Sequence, residues 1–177
     1  TRRSSDLERK NLMKKFFLIF TFFYLSMNII LAEENKMILK LKYGEVEIEL
    51  FTKVAPNHVK RFQALANEGK YDGVVFHRVI DGFMAQTGDV KFGNSTSSEF
   101  NLDLAGTGGS DLPNLKAEFS DVAHDRGILS MARSSDPDSA NSQFFIIFAS
   151  APHLDRNYSA FGKVVKGMEF VDTIKKG

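Results

Sequence analysis

The stretch Phe76-His77-Arg78-Val79-Ile80-Asp81-Gly82-Phe83-Met84-Ala85-Gln86-Thr87-Gly88-Asp89 decides how the rest of the chain is read. Together with Val74-Val75 before it, its first part is rich in β-branched and aromatic residues and predicts a strand over 74–80. Asp81-Gly82 is a turn signal, and Phe83–Gly88 reads as the next strand. On the first strand Val74, Phe76, Arg78 and Ile80 share one face, and Val75, His77 and Val79 share the other. Arg78 therefore interrupts an apolar face, and Gln86 interrupts the following strand. Taken singly, each has a plain reading, a polar side chain facing solvent at a strand edge.

N-terminal to this stretch, Ile38–Lys42 and Glu45–Leu50 alternate polar and apolar around Tyr43-Gly44. They predict a β-hairpin with one core face, on whose other face Lys40 and Lys42 oppose Glu45, Glu47 and Glu49. Between Pro56 and Gly69, residues Val59, Phe62, Leu65 and Ala66 recur at helical spacing, with proline at the start and glycine at the end. His58 is expected on the solvent side of that helix. C-terminal to the stretch, residues 89–115 are rich in Gly, Ser, Asn and Asp and hold no period, which predicts a long irregular excursion. Strands resume at 127–132, 142–148 and 161–165, and 168–175 reads as a second short helix. Phe145 lies in a run of six apolar residues and by itself reads as core. Many short strands with two helices predict a mainly β barrel or sandwich.

Composition narrows the chemistry. The 177 residues contain no Cys, which removes disulfides, thiolate zinc sites and cysteine nucleophiles. His58, His77, His124 and His153 have no metal-ligand spacing, and neither a zincin helix motif nor a nucleophile-elbow motif occurs. Gly106–Gly109 has no following Lys, so it is not a phosphate-binding loop.

The first residues read as an address. Five of the 17 Phe fall in the uncharged run 16–32, which Lys14-Lys15 precede and Glu33-Glu34 follow. A basic start, an apolar middle and Ala32 before a polar stretch predict a signal peptide over 13–32. The alternative is an uncleaved membrane anchor. Residues 1–12 read as an upstream extension ahead of Met13. Arg2-Arg3 admits a twin-arginine export signal as a further alternative. The expected location is periplasmic or secreted, with inner-membrane anchoring as the alternative. The whole chain carries a formal charge of +1; residues 33–177 hold 17 basic and 20 acidic residues, net −3. That balance argues against nucleic acid as a partner.

The stretch 76–89 resembles the cyclophilin family motif. The likeness continues, in the family's order, through Gly127–Ala132, Ser142–Ile146 and Phe161–Val164, and it covers residues 37–177. It resembles most a bacterial exported peptidyl-prolyl cis–trans isomerase. The resemblance implies a closed antiparallel β-barrel capped by two helices, with a peptide groove on its outside. The family continues into a last barrel strand after the second helix, whereas this sequence ends at Gly177. A C-terminally truncated domain with an open barrel edge is therefore expected. The implied substrates are proline-containing unfolded or partly folded polypeptides, and the implied state is a monomer that needs neither cofactor nor metal. A binding or chaperone module with this fold and little turnover is the competing reading.

Roles carry over from the resemblance by position. Arg78 matches the family's catalytic arginine, with Gln86 as the glutamine beside it. Phe83, Met84, Phe145 and Leu154 match the apolar pocket for the proline ring, and Phe83 is counted with the catalytic set. Gly106, Ala132, Arg133, Ser134 and Gln143 match the groove for the residues before proline. Three positions depart from the pattern of eukaryotic members. His153 stands where they carry a Trp, so weak cyclosporin binding is expected. Tyr158 replaces a pocket histidine. Arg133 replaces an Asn, and its charge is expected to favour acidic residues before proline. The stretch Val90–Ala105 is longer than in compact members.

Overall fold

The computed structural model describes residues 35–176. The expected signal peptide at 13–32 and the extension at 1–12 lie outside them. Among the described residues, seven strands and two helices follow one another in the order β1 (Lys36–Leu41), β2 (Gly44–Leu50), α1 (Pro56–Asn67), β3 (Arg78–Ile80), β4 (Met84–Thr87), β5 (Ile128–Met131), β6 (Phe144–Ile147), β7 (Ala160–Lys166) and α2 (Met168–Asp172). A short 3-10 turn, Pro152–Leu154, precedes β7. The strands form a single sheet in the order β1-β2-β7-β5-β6-β4-β3, antiparallel at every pairing from β2 to β3. The fold is mainly β, a curled half-barrel with two helices. It is open between β1 and β3. Among the described residues, no helix is long and apolar enough to cross a membrane.

Alternation along the strands divides the apolar side chains between two clusters. Val46, Ile48, Leu50, Leu129, Met131, Phe144, Ile146 and Phe161 point inward, where Val59 and Phe62 of α1 join them. Phe62 is the hub, with ring centroids 5.2 Å from both Phe144 and Phe161 and 5.4 Å from Tyr71. The second cluster lies on the other face: Met84, Ile128, Phe145, Ile147, Ala151, Leu154 and Ala160. Phe144 and Phe145, adjacent in β6, thus serve opposite faces of one sheet, as a two-residue period requires.

The expected hairpin is present, and Lys40 pairs with Glu45 across it at 3.5 Å. The expected helix is α1. His58, however, is fully buried rather than solvent-facing. It lies four residues before Phe62, on the helix's apolar side. Its Nδ1 is 2.6 Å from a Glu118 carboxylate oxygen. Glu118 also accepts the backbone N–H groups of Asn57 and His58. A carboxylate sixty residues away thus caps the helix start, where Ala55 offers no side-chain cap. The strand expected over 74–80 is shorter, β3 beginning only at Arg78. The backbone of Val74 and Val75 bonds instead to the excursion: Val75 N–H donates to Gly93 at 2.9 Å, and Val74 bridges Asn94. The excursion itself is irregular, as expected.

Candidate active site

β3 is an edge strand with one neighbour, β4. Register sets Arg78 opposite Gln86, and Gln86 opposite Phe145 of β6. Phe145 in turn faces Ser130 of β5. The sheet alone therefore aligns a guanidinium, an amide and an aromatic ring across three neighbouring strands.

Two adjoining cavities open on this face. The first, about 320 Å³, is lined by Arg78, Phe83, Met84, Gln86, Ala132, Arg133, Phe145, His153, Leu154 and Tyr158. Its floor is apolar: Met84, Phe145 and Leu154 are buried. Its rim is aromatic. Tyr158 meets Phe145 edge-on at 5.7 Å, and His153 lies 5.5 Å from Phe83. The second, about 460 Å³, is polar and is lined by Gln86, Ala132, Arg133, Ser134 and Gln143 together with the Gly106–Ser110 segment, Asn114, Ser139 and Asn141. The thirteen residues singled out from the sequence all line one cavity or the other. Gln86, Ala132 and Arg133 line both.

A chain of side-chain amides joins the two. Gln143 Nε2 donates to the carbonyls of Gly106 (3.0 Å) and Gly108 (2.7 Å). That leaves Gln143 Oε1 to accept from Gln86 Nε2 at 3.0 Å. Gln86 Oε1 is then free to accept from Arg78 Nη1 at 3.4 Å. Each amide is oriented by the one behind it, since a glutamine presents one acceptor and one donor end.

The chain ends on a residue to which the sequence assigned no role, Asp89. Its carboxylate is fully buried. Oδ1 accepts the N–H groups of Lys91 and Phe92, and Oδ2 those of Gly106 (2.7 Å) and Gly108 (2.9 Å). Burial pushes the Asp89 carboxyl upward, but these four donors outweigh it and hold it below the usual aspartate range. Gly106 has φ +98, and a Cβ there would meet the His77 ring at 2.9 Å. Only glycine brings the loop this close. The signal for Asp89 was present in sequence as an aspartate opening a turn-rich segment, though its distant partners were not. His124, also unassigned, is buried between Asp155 (Nδ1, 3.0 Å) and Ser130 Oγ (Nε2, 3.0 Å). It ties the end of the 3-10 turn that carries His153 and Leu154 to β5.

Residues 36–177 match the family described as cyclophilin type peptidyl-prolyl cis-trans isomerase. The chain belongs to the cyclophilins. A Brucella suis protein named probable peptidyl-prolyl cis-trans isomerase is 57% identical over 144 residues, 81% of this chain and 73% of that one. Among solved structures, the Hirschia baltica cyclophilin AquaCyp293 superposes with a TM-score of 0.68 at 28% identity, covering 81% of this chain and 68% of its own. A Cryptosporidium parvum cyclophilin type isomerase, crystallised in the presence of the dipeptide Ala-Pro, gives 0.67 at 34% identity, covering 78% and 84%. The cyclophilin here is thus an isomerase of X–Pro peptide bonds by its family and its curated relatives.

Proposed function

We propose that this cyclophilin accelerates X–Pro rotation in folding polypeptides by using Arg78 to stabilise the twisted amide while the apolar cavity holds the proline ring. The observation that carries this reading is the placement of Arg78, oriented by Gln86, at the mouth of a cavity floored by Met84, Phe145 and Leu154. A planar X–Pro amide resists rotation by about 18–20 kcal/mol, because the nitrogen lone pair is delocalised into the carbonyl. Twisting localises that pair on nitrogen. A guanidinium poised there donates to an acceptor that exists only in the transition state, and this differential interaction lowers the barrier. Gripping the ring by its methylenes, each contributing about 0.8 kcal/mol when buried, keeps one side of the bond still while the preceding carbonyl swings. Gln86 and the polar cavity suit the backbone of the residues before proline. Proline-containing peptides are the substrates this reading requires. The Ala-Pro dipeptide in the Cryptosporidium crystals supports it.

A proline-isomerisation assay followed by NMR exchange tests the reading. Acceleration by the protein, lost in Arg78→Ala, is the expected result. Peptide binding without acceleration would leave a binding module in place of an enzyme.

We also propose that the chain is exported, on the basic, apolar and small-residue pattern of residues 13–32. N-terminal sequencing of protein recovered from cells checks this: a start at Glu33 supports cleavage, and a start at Met13 supports an anchor.

A further inference from the structure

Five arginines lie among the described residues, and they divide by what neutralises them. Arg126 pairs with Asp172 at 2.6 Å, and Arg156 with Asp121 at 2.7 Å. Arg61 donates to the carbonyls of Pro113 and Asn141 and itself lines neither cavity. The remaining two, Arg78 and Arg133, line the apolar cavity, and neither has a carboxylate partner among the described residues. No Asp or Glu lines either cavity. A domain with more acidic than basic residues has thus placed two uncompensated guanidinium groups in its groove.

Arg133 is held in place. Its Nη2 and Nε donate to the Asn157 carbonyl at 3.0 and 3.3 Å, and its Nη1 to the Ser134 carbonyl at 2.8 Å. Its guanidinium carbon lies 4.5 Å from the centroid of the Tyr158 ring. These partners fix the position of the charge without cancelling it. The nearest acids in sequence, Asp136 and Asp138, turn to their own loop and to Ala117 N–H. Arg133 also lines both cavities, so it stands where a peptide passes from the proline pocket into the polar groove.

We propose that Arg133 makes this isomerase select peptides with a carboxylate side chain, Asp or Glu, immediately before the proline. The inference rests on the isomerase reading above. Because most of the N–H donors of Arg133 are already committed to carbonyls, selection acts chiefly through charge and needs no new bidentate bond. It therefore has the size of an exposed charge pair, about tenfold between a Glu and a Lys peptide, and is sensitive to salt.

The test measures kcat/KM on Ala-Glu-Pro-Phe, Ala-Ala-Pro-Phe and Ala-Lys-Pro-Phe at low and high ionic strength. Glu is expected to exceed Ala, and Ala to exceed Lys, with the Glu-to-Lys ratio shrinking in salt. In Arg133→Gln that ratio should collapse towards one, and in Arg133→Lys it should persist. The salt dependence on the unaltered protein keeps the test sound if Arg133→Gln folds poorly. Equal turnover of Glu and Lys peptides, or a ratio unmoved by salt and by Arg133→Gln, overturns the inference and leaves the isomerase reading standing. No turnover of any of the three peptides overturns that reading and the inference with it.

Discussion

The two cavities adjoin, share three residues and are held by different forces. The apolar one is an outgrowth of the sheet: Met84 and Phe145 project from β4 and β6, and Leu154 leans on them within the second core cluster. Its shape is fixed wherever the strands pair correctly. The polar one is built on an irregular excursion whose order depends on one carboxylate. Asp89 holds Gly106 and Gly108, those glycines orient Gln143, and Gln143 orients Gln86. Stability and function should therefore be coupled at the apolar floor, where Phe145 is part of the core, and separable at the rim, where Arg78 stands on an exposed strand edge.

The sharpest way to break this contrast is Phe145→Ala. Phe145 is 5% exposed, and removing so large a buried ring costs about 3–5 kcal/mol of stability, together with proline binding. Chemical denaturation measures the first and KM the second; full stability in the variant would detach the pocket from the core. Arg78→Ala should do the opposite. Turnover falls about a hundredfold, equivalent to about 2.7 kcal/mol, with the denaturation midpoint unchanged, because Arg78 is exposed on an edge strand. A third variant, Asp89→Asn, probes the polar half. One oxygen and an amide cannot accept four N–H groups, so the loop should loosen and kcat/KM fall about tenfold, while proline-ring binding persists. Hydrogen exchange at Gly106 and Gly108 is the direct readout.

The mildest perturbation is acid. Asp89 and Glu118 both titrate below their ordinary values in the folded chain: burial raises each, and bound donors more than offset it. A carboxyl depressed by folding contributes stability above its unfolded pKa and loses it as pH falls through the folded one. His77, whose pKa burial lowers, withdraws thermal stability as pH falls below about 6.5, and the two carboxyls add a further decline from about pH 5 downward. Asp89→Asn should flatten part of that decline, and an unchanged acid limb would show that Asp89 does not contribute to it.

How much of this was legible in the sequence follows the same division. The hairpin, α1 and β4 could be read because their periods are local. Val74–His77 looked like strand for good local reasons, but Gly93 and Asn94 took its backbone partners. His58 was misplaced because the carboxylate that satisfies it, Glu118, is remote. Residue pattern alone left Arg78 and Gln86 as plausible edge residues and Phe145 as core. In an unbroken apolar run such as Phe144–Phe148, no alternation reveals which face each ring serves. The site emerged through resemblance to a family, and Asp89 only through the bonds it accepts.

The placement of Phe144 and Phe145 on opposite faces of β6 gives the strand an unusual sensitivity to error. Sliding β6 by one residue against β4 and β5 would exchange the two rings. The same slip would unseat Phe62 and Phe161 inside and strip the apolar cavity outside. Misalignment cannot then hide as a folded but inert population or as an active but loosened one. Catalytic activity recovered after refolding therefore counts the chains in which this strand has found its correct alignment.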